Sequence, residues 1–318
     1  MHDSAFANFP LALLEATVAR HVATGARIVA IEPRPIGAGL SGAAVRRYQV
    51  TLDGPEGRRA VRLVTKEASS AERRAVALLN GQGQPSVPFG HALDPDGEAP
   101  ALLCLEDLGD EHRPSSLSPI PAEVFRREAA GLAAIHAANL GGTQDLGWLP
   151  RLGREAVAEA IERAFFRPAW ERALAEPDFR RDFGAAIAPV ERHAAAVADE
   201  MAALHAEDDA VTLVHTDINP SNVLLRGGRA YFVDWQDVHA GSLYVDLPHH
   251  FDTLARAEVY RVALAERGVA IPPGHFAKRY RIAARYTGLR YCWWALDAWR
   301  EDRAMAPWVA HYLAMITG

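Results

Sequence analysis

Strand-type alternation of apolar and polar residues is confined to two stretches of this chain, its first third and one short island around residue 220. That distribution points to a small sheet-rich lobe followed by a larger helical lobe with a β island inside it. Strands are expected at Ile28 to Ile36, at Val45 to Leu52 and at Ala60 to Glu67. In the second of these, Tyr48, Val50 and Leu52 share one face and Arg47, Gln49 and Thr51 the other. Asp53-Gly54-Pro55-Glu56-Gly57 is a turn signal, and a helix capped by serine is expected at Ser70 to Leu79. The nearly all-apolar Ala101 to Leu105 reads as a central strand. Ahead of the strands, Phe9 to Val22 reads as an amphipathic helix.

Glu106 to Pro119 is rich in acid, Gly, Pro and Ser, and the lobe boundary is expected there, with residues 1–107 in the first lobe and 108–318 in the second. Beyond it, helices are expected at Pro121 to Asn139, Arg154 to Ala175 and Asp178 to His205, and again through the aromatic C-terminal segment. A length of 318 residues fits about two such lobes. The formal charge of -6 leaves no footprint for nucleic acid. No apolar run reaches the ~18 to 20 residues of a membrane span, so no membrane partner is expected. Two distant cysteines, Cys104 and Cys292, suggest a reducing compartment, hence the cytoplasm. Nothing in the sequence reports an oligomeric state.

The island carries the chemistry. It reads Leu213-Val214-His215-Thr216-Asp217-Ile218-Asn219-Pro220-Ser221-Asn222-Val223-Leu224-Leu225, then a Gly227-Gly228 turn, then Tyr231-Phe232-Val233-Asp234-Trp235. Asp217, Asn222 and Asp234 supply two carboxylates and a carboxamide. If the strands pair, such a set suits magnesium, which takes oxygen ligands and leaves one carboxylate to accept a proton from a hydroxyl. H-x-D-x-x-x-x-N is also the spacing of a phosphoryl-transfer catalytic loop. The competing reading is a polar turn whose Asp and Asn bond their own backbone.

His215-Thr216-Asp217 with Asn222, then Val233-Asp234-Trp235, then Gly241 and Asp246-Leu247, resembles the aminoglycoside phosphotransferase and choline kinase-like family. The resemblance implies an α+β, protein-kinase-like two-lobed fold, with an antiparallel N-terminal sheet and a mainly helical C-terminal lobe. It implies transfer of the γ-phosphoryl group of ATP, or of GTP, to a hydroxyl of a small molecule, with Mg2+. Asp217 would be the catalytic base, Asn222 and Asp234 the metal ligands. Asp246 would brace the catalytic loop, and His215 would orient it. Thr216 stands where the family often has Gly, and Trp235-Gln236 where many members have an aromatic residue followed by Glu. Glu106-Asp107-Leu108-Gly109 looks like the family's hinge, whose backbone would pair with adenine.

A kinase-like site also needs a lysine on the third strand and a glutamate on the next helix. Of 34 basic Lys and Arg residues only two are lysines, Lys66 and Lys278, and Lys66 ends the third expected strand. An ammonium and a guanidinium are not interchangeable at such a position. Glu72 is the best partner for it, with Glu67 also near. Gly37-Ala38-Gly39-Leu40-Ser41-Gly42 is a literal G-x-G-x-x-G, but a strand follows it instead of the helix a dinucleotide fold needs. It reads either as a hairpin over phosphates, with Gly39, Ser41 and Gly42 nearest the nucleotide, or as an ordinary turn.

Tyr286, Tyr291, Trp293, Trp294, Trp299 and Trp308, with nearby acids, could hold a cationic acceptor or simply pack helices. His249, His250 and Asp252 with His215 and Asp217 would fit a metal-dependent hydrolase, though no tight metal motif supports it. The same motifs would also occur in an inactive nucleotide-binding scaffold or in a kinase acting on proteins. Against a protein kinase, Asp246 follows Asp234 too closely for a long activation segment.

Overall fold

The computed structural model describes residues 9–34, 45–142, 145–206 and 211–318. The chain forms two compact units, Met1–Arg113 with Ser221–Val238, and Pro114–Pro220 with His239–Gly318. The first break in the chain thus falls after Arg113, within the expected boundary segment but beyond residue 107. The distal part of the β island joins the first unit, an arrangement that a single cut at 107 does not contain.

In the first unit, helix α1 (Leu11–His21) precedes strands β1 (Arg27–Arg34), β2 (Arg46–Gly54) and β3 (Gly57–Ala68), helix α2 (Ser70–Gly81), and strands β4 (Gly90–His91) and β5 (Ala101–Glu106). The five strands form one antiparallel sheet in the order β1-β2-β3-β5-β4. Ala101–Glu106 is therefore central, as its apolar composition requires, between β3 and β4. Tyr48, Val50 and Leu52 are all buried, together with Leu63 of β3 and with Leu13, Leu14 and Val18 of α1. Period-two alternation places these side chains on one face, and α1 covers it. Residues of β3 that alternate with Leu63, among them Val64 and Lys66, therefore lie on the opposite face. The β2–β3 turn closes on the pair Gly54 and Gly57, with Gly57 at φ 90°, a conformation open to glycine.

Helix α2 starts where Ser69 accepts a hydrogen bond from the Glu72 amide at 3.2 Å. Its buried residues Glu72, Ala75, Val76 and Leu79 recur at helical spacing. Two further strands, β7 (Val223–Arg226) and β8 (Arg229–Phe232), form a hairpin. The hairpin is tied into this unit by the Arg113 amide to the Val223 carbonyl at 2.9 Å, the Leu225 amide to the Glu111 carbonyl at 2.7 Å and the Phe232 amide to the Ser86 carbonyl at 2.9 Å.

The second unit contains α3 (Ala122–Asn139), α4 (Arg154–Glu159), α5 (Phe166–Leu174), α6 (Pro177–His205), α7 (Leu254–Ala265), α8 (Pro273–Glu301) and α9 (Ala306–Thr317). Strands β6 (Val211–Val214) and β9 (His239–Ser242) pair antiparallel. The strands flanking the polar loop, β6 and β7, thus pair with other strands and not with each other. The helix expected over 154–175 is interrupted by a π turn at Ala160–Ala164. Pro168 accounts for the break: it has no amide hydrogen and is tolerated only near a helix start, so α5 begins anew at Phe166. The restart brings Phe166 and Trp170 into a stack, with Phe179 edge-on to Trp170 and to Trp299. Phe166, Trp170, Phe179 and Trp299 are all buried, so Trp299 is a packing residue.

Candidate active site

Lys66 is the centre of the first unit's polar cluster. Its ammonium lies 2.9 Å from Glu72 Oε1 and 2.5 Å from Asp234 Oδ1. Lys66 is only 8% exposed and Glu72 1%, so two carboxylates share a cation almost out of water. Burial works against the charge on Lys66, but Glu72 and Asp234 outweigh it and hold the ammonium above its ordinary pKa. Glu67, the other candidate partner, is exposed. Asp234 has a left-handed backbone, φ 68° and ψ 59°, immediately after the β7–β8 hairpin. A left-handed non-glycine residue is strained, and the following turn, Trp235–Asp237, needs the chain to reverse at this point.

Asn222 sits at the matching end of the hairpin. Val223 pairs with Phe232, and the Val233 amide donates to the Asn222 carbonyl at 3.0 Å. Asn222 and Asp234 therefore emerge together from the open end of one hairpin. Their donors are a carboxamide oxygen and a carboxylate, a hard-cation set that fits magnesium, with phosphate and water supplying the remaining ligands. Among the described residues, no group of three or more His, Cys, Asp and Glu could hold a metal ion, so a metal-dependent hydrolase finds no support there.

Glu106 ends β5, and Leu108 beyond it is buried. The Glu106 carboxylate pairs with Arg226 at 3.0 Å, and the same guanidinium donates to the Asp107 carbonyl at 3.1 Å. Arg47 of β2 reaches Asp107 at 3.1 Å and Asp110 at 2.7 Å. Burial pushes the Glu106 carboxyl upward against the pull of Arg226. The amide of Glu106 donates to the Phe89 carbonyl and that of Asp107 to the Arg62 carbonyl. Those two donors are engaged inside the unit, which narrows the backbone groups this segment could offer to a base. Gly39, Ser41 and Gly42 lie outside the described residues.

In the second unit, the loop after β6 is held by buried side chains. Asp246 accepts from the His215 amide and the Thr216 amide, each at 2.8 Å. It also accepts from His136 Nε2 at 3.1 Å, and the Tyr260 hydroxyl donates to His136 Nδ1 at 2.7 Å. Burial pushes the Asp246 carboxyl up, but the bonds from His136 and His215 prevail and hold it below its ordinary range. Thr216 is left-handed at φ 63°, a strained conformation for a β-branched residue. His215 is fully buried, and its Nδ1 accepts from the Asp217 amide at 3.3 Å.

Two side chains outside the expected set touch the same loop. Tyr291 of α8 places its hydroxyl 2.9 Å from Asp217 Oδ1 and 2.8 Å from the Thr216 carbonyl. His249 donates from Nδ1 to the Ile218 carbonyl at 3.1 Å, and its ring lies 4.1 Å from that of Tyr291. The sequence displays Tyr291 only as one of several C-terminal aromatics. No spacing rule connects it with Asp217, so its position became visible only in three dimensions. His136 likewise reads as helix packing in the sequence and turns out to bond Asp246.

An antiparallel sheet with a buried lysine–glutamate pair and a helical unit with a braced His-Thr-Asp loop define a protein-kinase-like fold. Solved structures agree. A spectinomycin phosphotransferase crystallised with ADP and spectinomycin is 13% identical, with 91% of this chain and 88% of that one covered at a TM-score of 0.53. A putative aminoglycoside phosphotransferase from Ralstonia eutropha is 14% identical, with 96% and 95% covered at 0.54. A choline/ethanolamine kinase family protein from Mesorhizobium loti is 17% identical, with 96% and 98% covered at 0.51. Among curated proteins, none matches the sequence significantly. The sequence pattern of the phosphotransferase enzyme family matches residues 36–291, and the chain belongs to that family.

Proposed function

We propose that this phosphotransferase moves the γ-phosphoryl group of ATP, or of GTP, to a hydroxyl of a small molecule in a magnesium-dependent reaction. The observation that carries this reading is Lys66 buried between Glu72 and Asp234. A cation so held is preorganised for the α- and β-phosphates, and the Glu72 carboxylate keeps it from turning away. The ADP-bound spectinomycin enzyme supports a nucleotide as donor. Asn222 and Asp234 would hold the magnesium, which when bound neutralises charge on the phosphates. The backbone of Leu108, just beyond the end of β5, would pair with adenine.

Asp217 accepts the proton of the acceptor hydroxyl as that oxygen attacks the γ-phosphorus. His215 and Asp246 fix the loop that presents Asp217. This division leaves little covalent work for the protein, and catalysis rests on position and charge. An aminoglycoside-, choline- or other alcohol-type acceptor fits the named relatives. A protein acceptor is disfavoured because β9 and the turn to Asp246 occupy the stretch after Asp234. Cys104 and Cys292 are buried free thiols, in keeping with a cytoplasmic protein.

The test is ATP consumption, with magnesium, against a panel of small hydroxylated compounds for wild type and Asp217→Ala. Acceptor-dependent turnover that the variant lacks is the expected result. Intact nucleotide binding without turnover on any compound would overturn it in favour of a binding scaffold.

A further inference from the structure

Side chains from outside the loop support the segment that carries Asp217. Asp246 takes the amides of His215 and Thr216. His249 takes the carbonyl of Ile218. The Tyr291 hydroxyl reaches the functional carboxylate at Oδ1 at 2.9 Å, nearer than the side-chain amide nitrogen of Asn219 at 3.4 Å, while the same hydroxyl lies 2.8 Å from the Thr216 carbonyl. A phenol has one proton, so it serves one of these oxygens fully at a time or divides itself between them. An ionised carboxylate is the stronger acceptor of the two.

We infer that Tyr291 is a positioning residue for phosphoryl transfer: its hydroxyl holds the Asp217 carboxylate in place before reaction and turns to the Thr216 carbonyl once Asp217 has taken a proton. The second half of this statement rests on the phosphotransferase reading; the first half does not. The exchange balances. The acceptor O–H breaks and its proton bonds to Asp217. The acceptor oxygen bonds to the γ-phosphorus, and the bond from that phosphorus to the β–γ bridging oxygen breaks. Tyr291 keeps its own proton throughout. Burial, with Asp217 adding to it, holds the Tyr291 hydroxyl well above its ordinary pKa, so it donates a hydrogen bond and not a proton.

The surroundings suit a fixed donor. Arg290 lies 5.5 Å from the Tyr291 ring centre, and His249 packs on that ring at 4.1 Å. Burial lowers the His249 pKa to about 3, so this neighbour stays uncharged across the working range. The Thr216 carbonyl that the hydroxyl meets belongs to a residue with a left-handed backbone, φ 63°.

The variant is Tyr291→Phe, which keeps the ring and its packing and removes one oxygen. With an acceptor identified by its Asp217-dependent turnover, kcat should fall about ten- to a hundredfold, the scale of one hydrogen bond to a charged group. KM for ATP should stay within about twofold, since the hydroxyl bonds to Asp217 and Thr216 of the catalytic loop. In an Asp217→Asn background the same substitution should change kcat by less than about twofold, because coupled residues are not additive. A crystal structure of Tyr291→Phe should show the Asp217 carboxylate rotated from its wild-type position. Unchanged kcat, or equal losses in both backgrounds, overturns the inference. So does an unmoved carboxylate. If no compound supports Asp217-dependent turnover, the phosphotransferase reading fails, and the crystal structure still decides whether the hydroxyl holds Asp217.

Discussion

Glu72→Gln isolates the charge that keeps Lys66 in place. The substitution preserves shape, so it opens no cavity at a position only 1% exposed. At 2.9 Å the Coulomb attraction between the two groups is about 6 kcal/mol at an effective dielectric of 20. Much of this is offset by the desolvation of both ions, and Lys66 retains Asp234 at 2.5 Å. The net loss should therefore resemble one hydrogen bond to a charged group, about 1.5–3 kcal/mol. For a chain of 318 residues that corresponds to a fall of about 2–4 °C in melting temperature. The freed ammonium would then follow Asp234, so KM for ATP should rise. Thermal melting and steady-state kinetics measure both effects, with Glu67→Gln as the control, since Glu67 is exposed on the same strand. A Glu72→Gln protein that melts within 1 °C of wild type, roughly the scatter expected of a neutral surface change, with unaltered KM for ATP, would refute the argument.

Three further outcomes can be checked directly. Asp217→Ala should reduce turnover at least about a hundredfold while nucleotide binding, read by calorimetry, stays unchanged. Asp246→Asn should destabilise the fold by about 2–4 kcal/mol in urea titration at pH 7, because three donors converge on a group that would then offer one oxygen. The Asp246 carboxyl lies below its ordinary range in the folded protein, so its contribution is complete above the unfolded pKa of about 3.9 and is lost as pH falls through the folded value. The gap between wild type and variant should accordingly narrow in acid. Gly288→Ala should lower stability by about 1–3 kcal/mol despite the better helix propensity of alanine, since a Cβ there meets Ile316 Cγ1 at 2.7 Å and the Tyr312 carbonyl at 3.1 Å across the α8–α9 contact.

The parts of the fold legible in the sequence are those set by local pattern. Alternation fixes β2 and β3, and a serine cap with helical burial spacing fixes α2. Lys66 and Glu72 meet because one ends an alternating strand and the other opens the next helix, both short-range facts. The Gly227-Gly228 turn announces the β7–β8 hairpin, but the partnering of β6 with β9 was not legible, because a four-residue strand carries no label for a distant neighbour. The π turn after α4 was signalled by Pro168, which the alanine-rich surroundings masked. Tyr291 is separated from Asp217 by more than seventy residues, and its contact depends on how α8 packs, which no periodicity encodes.

The chain passes between its two units three times, after Arg113, after Pro220 and after Val238. During synthesis the first unit is therefore incomplete long after its sheet has left the ribosome. At about 5–20 residues per second, roughly 8 to 34 seconds separate the emergence of Lys66 from that of Asp234. Throughout that interval the growing polypeptide lacks β7 and β8, which bond to Glu111, Arg113 and Ser86. The nascent N-terminal sheet is thus an intermediate that must wait for the distal hairpin, and a ribosome-bound chain stalled before residue 221 should give chaperones a longer-lived client than one stalled after residue 238.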